Sequence, residues 1–314
     1  MVERVEYDEF GLFHENAEEF GLPYDGPPAV RRESVEVEPG RRMSALVWGE
    51  APPELVLVHG GAQNAHTWDT VAMALGRPLV AVDLPGHGHS DAASHEGAGA
   101  FDTRRLAADV ATALRVLAPE PRGVVGMSLG GLTTIALTDV APELVRKAVL
   151  VDVTPGVDRE RARHITDFVN GPATFPSFDE ILARTIEYNP TRSVSSLRRG
   201  ILHNAVQLED GSWVWRHARH RHETEGGPDR RAAPGGDNAP MFTELWDVLS
   251  AITVPLMLVR GMLPQSVVGD DDEAELVRRL PSARIEHVQN AGHSVQGDAP
   301  LELARLIEDF VFAG

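Results

Sequence analysis

Apolar residues along this chain gather into short, continuous runs. Leu55-Val56-Leu57-Val58, Leu79-Val80-Ala81-Val82, Ala148-Val149-Leu150-Val151 and Leu256-Met257-Leu258-Val259 are apolar at every position. Runs of four to eight such residues are the mark of strands covered on both faces. With less uniform neighbours they predict strands at 34–38, 43–48, 55–59, 79–83, 123–126, 148–152, 256–260 and 284–288. Helical spacing of apolar positions separates most of them, at 66–75, 103–117, 132–140, 273–280 and 301–312, and Pro142 fits the end of the third. Strands alternating with helices predict an α/β class with a mostly parallel sheet and helices on both faces.

Two stretches stand apart from this alternation. Residues 1–32 are polar, with a Gly-Pro-rich passage from Gly21 to Pro28, and read as an N-terminal arm docking through Phe10, Leu12, Phe13 and Phe20. Residues 155–250 are richer in Arg, His, Pro and Trp than their flanks and read as an insertion, with 230–239 around Pro234-Gly235-Gly236 as a flexible loop. The expected organisation is therefore an arm at 1–32, a core from 33–154 and 251–314, and an inserted cap at 155–250.

The chemistry concentrates in Gly126-Met127-Ser128-Leu129-Gly130, followed by Gly131. An apolar strand leads into it and a helix-compatible stretch leaves it. A serine on a tight strand-to-helix turn, with glycines two residues away so that strand and helix can approach, is a nucleophile elbow. Serine needs a base to attack at neutral pH. His293, in Gly292-His293-Ser294 after the last strand, is the candidate. A second Gly-rich turn, His59-Gly60-Gly61, follows the strand at 55–59.

In this order and context the chain, from about residue 33 to residue 313, resembles the α/β-hydrolase family. The resemblance implies an α/β-hydrolase sheet with a helical cap inserted at 155–250, over the active site. It implies a serine nucleophile at Ser128 and a base at His293. It also implies oxyanion-hole donors from the backbone N–H groups of Leu129 and of Gly61, with Ala62 as neighbour. His59 is implied as a brace for that turn, and His87 and His89, in the loop after the strand at 79–83, as turn-stabilising. Gln63 and Asn64 are candidates to face the site. The commonest family pattern places the acid just after the strand at 256–260, but Gly261 to Val268 carries no carboxylate. Asp152, ending its strand 24 residues after Ser128 (152 − 128), fits a variant pattern. Asp270, Asp271 and Asp272 remain alternatives that also read as helix-capping residues.

Composition narrows the partners. Lys plus Arg number 29 against 47 Asp plus Glu, a net charge of −18, which argues against nucleic acid or an anionic membrane. Cysteine is absent, which excludes disulfides, thiolate catalysis and Cys-ligated metals and suits a cytoplasmic setting. Met1 to Glu19 lacks the apolar core of a signal peptide, and no apolar run approaches the ~20 residues of a membrane span. His217, His220 and His222 lie close in sequence but read as part of the cap rather than as a metal site, and Trp213 and Trp215 suit a short extended segment. The expectation is a serine hydrolase, monomeric or homodimeric, without cofactor or metal, that cleaves a small to medium ester, lactone or thioester through an acyl-enzyme. Carbon–carbon bond hydrolysis, cofactor-free perhydrolysis, a lyase and a non-catalytic ligand-binding protein stay open.

Overall fold

The computed structural model describes residues 4–92, 102–157, 160–217 and 242–313. Its centre is an eight-stranded sheet made of β1 (Val30–Glu38), β2 (Arg41–Trp48), β3 (Leu55–Val58), β4 (Leu79–Val82), β5 (Gly123–Met127), β6 (Ala148–Val151), β10 (Leu256–Gly261) and β11 (Arg284–Val288). The short strands β7 (Thr174–Phe175), β8 (Ala205–Gln207) and β9 (Trp213–Trp215) belong to the insertion. The order across the sheet is β1-β2-β4-β3-β5-β6-β10-β11. β2 pairs antiparallel with both neighbours, and every other pairing is parallel. A mostly parallel sheet is what the continuous apolar runs demand, since each strand must bury both faces.

The period of two is visible in the core. Val56 and Val58 of β3, Val80 and Val82 of β4, and Leu256 and Leu258 of β10 share one apolar layer. Leu55 and Leu57, Leu79 and Ala81, and Met257 and Val259 share the other. On the first face, α3 (Thr103–Leu117) packs Leu106, Val110 and Leu114, and α4 (Leu129–Val140) packs Leu132 and Ile135. On the second lie Trp68 and Val71, at the start of α2 (Asp69–Leu75), and Leu303 and Ile307 of the C-terminal helix Pro300–Ile307. Helix α3 spans the expected residues, and its N-cap Asp102 accepts the N–H groups of Arg104 and Arg105 at 3.1 and 3.2 Å. No helix among the described residues is long and apolar enough to cross a membrane.

The insertion holds helices α5 (Arg163–Val169), α6 (Phe178–Tyr188) and α7 (Val194–Asn204). It also holds a small antiparallel sheet, β7 (Thr174–Phe175), β8 (Ala205–Gln207) and β9 (Trp213–Trp215), in the order β7-β9-β8. The insertion is thus helical with a sheet of its own. Its separate apolar cluster contains Phe175, Ile181, Ile201, Leu202, Trp213 and Trp215. The extended reading of the two tryptophans holds, because both supply bulk to that cluster. The loop expected at 230–239 lies outside the described residues. β1 already starts at Val30, and the helix Leu245–Ser250 at the end of the insertion sends Leu245, Trp246 and Leu249 into the core layer that holds α4.

The arm contains α1 (Phe13–Phe20), closed by Gly21 at φ 66°. It docks on two bodies at once. Phe13 is buried in the core against Trp48, with ring centroids 5.1 Å apart, and Phe10 packs on the same layer. Leu12 and Tyr7 instead pack on the apolar cluster of the insertion. Glu15 pairs with Arg198 at 3.2 Å, and Glu19 pairs with buried Arg199, so α1 is bonded along α7. Replacing Phe13 by Ala is expected to cost about 3 kcal/mol of unfolding free energy. Urea denaturation checks this; a loss below about 1 kcal/mol would show that the arm is not part of the cooperative unit.

Candidate active site

Ser128 follows β5 and acts as the N-cap of α4, with φ 51° and ψ −120°. An L-residue adopts this conformation only when its surroundings impose it. The imposition comes from close packing. A Cβ on Gly126 would overlap the carbonyl oxygen of Gly130, and one on Gly130 would overlap that of Val58, so the helix lies directly on the ends of β5 and β3. The helix begins at Leu129, whose N–H is therefore one of the donors that a helix start leaves without an intrahelical acceptor. Among the described residues only three non-glycines have φ in the left-handed region: Ser128, Ala62 at 60° and Asp152 at 47°. They lie in the segments that follow β5, β3 and β6, which end at one edge of the sheet.

Asp152 is completely buried. Its Oδ2 accepts the Nδ1–H of His293 at 2.9 Å and the Val267 N–H at 3.0 Å. Its Oδ1 accepts the Ser266 hydroxyl at 2.6 Å and the Gly261 N–H at 3.0 Å. With Nδ1 carrying the proton, neutral His293 keeps its lone pair on Nε2, the form a general base requires. Asp270 instead pairs with Arg260 at 2.7 Å, and Asp272 accepts the Gly269 N–H at 2.8 Å. They open the helix Asp270–Arg279, as the capping reading has it, and leave His293 to Asp152.

The turn after β3 is braced from several sides. The Leu84 N–H donates to His59 Nε2 at 2.9 Å, so Nδ1 bears the proton and donates to Gly60 O at 2.7 Å. Burial lowers the proton affinity of His59, in keeping with a neutral brace. Gln63 Oε1 accepts the Gly60 N–H at 3.1 Å, and Asn64 caps the next turn by accepting the His66 N–H at 3.0 Å. Both side chains expected to face the site are engaged in holding this turn. Asn64 also donates to His203 O at 2.9 Å, and Asn204 donates to Ala62 O at 2.6 Å, which fastens the end of α7 to the same turn. His87 donates from Nδ1 to Pro85 O at 3.0 Å. Burial, then the neighbouring His59 and His217, push it down to about 3. His89 serves its loop by backbone, its N–H donating to Asp83 Oδ2 at 3.0 Å.

Sequence reasoning missed a buried ionic cluster beside this turn. Asp83 binds Arg32 at 2.7 Å, and Arg32 also pairs with Glu9 of the arm. His66 faces Asp69 through Nδ1 at 2.9 Å and Glu9 through Nε2 at 3.1 Å. Arg32 is farther from Nε2, at 3.5 Å. A ring with a carboxylate acceptor at each nitrogen is an imidazolium. Burial opposes that charge, but Asp69 and Glu9 together raise His66 to about 9. His203 stacks on it at 3.8 Å and accepts the Tyr7 hydroxyl at 2.8 Å. Burial and the adjacent cations hold His203 well below its usual range, so it stays neutral. No local pattern foretells this cluster, which joins residues 9, 32, 66, 69, 83 and 203.

His66, Asp69 and His203 are also the set of described residues whose ligand atoms could surround a metal. The two rings are only 12° from parallel, so their in-plane lone pairs cannot converge on one ion without a ring turning. His217 stacks near Trp215 at 6.1 Å, while His220 and His222 lie outside the described residues. His66 binds its proton more tightly folded than unfolded. Its contribution to stability is therefore complete below pH 6.5 and is lost as pH rises through about 9. Urea midpoints should fall between pH 6.5 and 9.5 in the wild type and fall less in His66→Gln; parallel declines would remove His66 from that role.

Residues 55–306 match the model of the alpha/beta hydrolase family. The chain is 44% identical to Esterase Rv0045c of Mycobacterium tuberculosis, over 96% of this chain and 94% of that protein. A crystal structure of that esterase superposes with a TM-score of 0.78 at 41% identity, covering 98% of both chains. The pimeloyl-[acyl-carrier protein] methyl ester esterase of Aeromonas hydrophila is 28% identical over 82% of this chain and 95% of its own length. Sheet order, elbow and sequence agree: this chain belongs to the alpha/beta hydrolase family.

Proposed function

We propose that this hydrolase is a carboxylesterase in which Ser128 is the nucleophile, His293 the base and Asp152 the acid that fixes the imidazole. The N–H groups of Leu129 and Gly61 are the proposed oxyanion donors. The observation that carries the reading is the 2.9 Å bond from His293 Nδ1 to the buried Asp152, with Ser128 held in a strained elbow. Similarity to two proteins named as esterases supports the ester as substrate class.

The steps follow from the tautomer. As Ser128 Oγ bonds to the acyl carbon, its proton passes to His293 Nε2, and the carbonyl π electrons move to oxygen, where the two N–H groups receive the charge. Asp152 stabilises the imidazolium without taking its proton. Collapse breaks the ester C–O bond, and the departing alkoxide takes the proton from Nε2. Water then attacks the acyl-enzyme, giving its proton to Nε2. Collapse releases the carboxylic acid and returns that proton to Ser128. Substrates are small to medium esters, lactones or thioesters that reach the site beneath the insertion.

Hydrolysis of p-nitrophenyl esters of graded acyl length tests the assignment. Ser128→Ala and His293→Ala should each lower kcat by about 10⁴-fold or more, and Asp152→Asn by about 10³–10⁴-fold. Asp270→Asn and Asp272→Asn should leave activity near wild type. Turnover that survives Ser128→Ala would reject the acyl-enzyme, and a folded wild type without turnover on any ester would favour a ligand-binding role.

A further inference from the structure

Three of the four hydrogen bonds to Asp152 come from one segment, the last residue of β10 and the loop that follows it. Gly261 and Val267 give backbone N–H groups, and Ser266 gives its hydroxyl. The backbone donors are available to any sequence that folds the loop this way. Ser266 is the one donor in the segment set by a side chain. Its hydroxyl also accepts the Val268 N–H at 3.3 Å, which fixes the rotor. The single hydroxyl proton could go to Asp152 Oδ1 at 2.6 Å or to Val268 O at 3.4 Å. The nearer carboxylate is the stronger acceptor.

Asp152 needs such support. Its φ of 47° is a conformation that persists only when neighbours over-determine it. Each carboxylate oxygen has two donors, and one of the four is His293 itself. Ser266 and Gly261 hold Oδ1, so the carboxylate plane is set before Oδ2 meets the imidazole. The Ser266 proton also draws charge toward Oδ1 and away from the oxygen that faces His293.

We propose that Ser266 is a positioning residue for hydrolysis, acting on His293 through Asp152 without touching substrate. This rests on the catalytic roles assigned above to Ser128, His293 and Asp152. Removing the hydroxyl frees one edge of the carboxylate and concentrates its charge on Oδ2. The imidazole is then less well aimed, and its protonated form is favoured.

The test is steady-state hydrolysis of p-nitrophenyl butyrate across pH by wild type, Ser266→Ala, Ser266→Thr, Asp152→Asn and the Asp152→Asn/Ser266→Ala pair. Each variant is checked for folding by thermal unfolding. Ser266→Ala should lower kcat about tenfold with KM unchanged, and the acid limb of kcat/KM should move to higher pH. Ser266→Thr, which keeps the hydroxyl, should restore most of the loss and the limb. In the Asp152→Asn background the Ser266 change should cost almost nothing further, because its route is already cut. Wild-type kcat and pH profile in folded Ser266→Ala would overturn the proposal, as would the same tenfold loss in both backgrounds. If Ser266→Ala does not fold, Ser266→Thr and Ser266→Cys carry the comparison, and a Thr variant as impaired as Cys, with an unmoved acid limb, would overturn it. Full activity in Asp152→Asn would instead bring down the underlying assignment of the acid, and this proposal with it.

Discussion

A carboxylate removed from water has to find donors for its lone pairs, and Asp152 finds all of its partners at one edge of the sheet. That requirement constrains much of what surrounds it. β10 must lie beside β6, so that the loop leaving β10 can turn over the end of β6, and the sheet order supplies this neighbour. The loop carrying His293 must reach the same point. It does so by passing tightly across Gly261, where a Cβ would overlap the Gly292 carbonyl oxygen. Leu263 N–H bonds to Ala291 O at 2.9 Å, and Gly292 N–H to Asp298 at 2.9 Å, so both loops are locked while they hold the acid and the imidazole.

The strain at this edge is distributed in a telling way. Ala62, Ser128 and Asp152 each occupy a backbone region that side chains avoid, and each is clamped by different means. Close helix-to-strand contact clamps Ser128. Hydrogen bonds clamp Asp152 through its side chain. The clamp on Ala62 comes from the insertion, since its carbonyl is held by Asn204 at the end of α7. A stretch with a small apolar cluster of its own therefore helps to shape the turn proposed to receive the oxyanion. The position of α7 is in turn fixed by the arm, through Arg198 and Arg199 to Glu15 and Glu19.

Much of this was legible in the sequence wherever the governing physics is local. Continuous apolar runs marked the parallel strands, and the spacing of Leu106, Val110 and Leu114 marked α3. Ser128 was legible because an elbow needs glycines at fixed offsets. Asp152 is legible as a carboxylate ending a strand, because residues 261–268 hold none. In the sequence that loop shows only an absence of carboxylate. That Ser266 and two backbone N–H groups would serve an acid 114 residues earlier (266 − 152) depends on strand order, which a single sequence does not display. The Glu9–Arg32–His66 cluster is hidden for a like reason: its members are ordinary surface-type residues until tertiary contact buries them. The sheet within the insertion escaped because β7 and β8 are two and three residues long, too short for any periodicity to register.

The ionic cluster and the candidate site are linked by chain geometry as well as by proximity. Asn64 separates the two: its backbone leads from the proposed oxyanion turn into the 3₁₀ turn that carries His66, and its side chain bonds the His203 carbonyl. A buried ion pair adds little net stability compared with apolar packing, yet removing one partner leaves a charge stranded. Its structural value here is exclusivity. Glu9 meets Arg32 and His66 together, and Tyr7 reaches His203 in the same chain passage, so a displaced arm would strand several polar groups at once. Apolar contacts from Phe10 and Phe13 hold the arm on the core. The charges select the register, and with it the seat of α7 against the turn at Ala62. The buried cluster is thereby connected, through Asn64 and the end of α7, to the backbone of the turn proposed to hold the oxyanion.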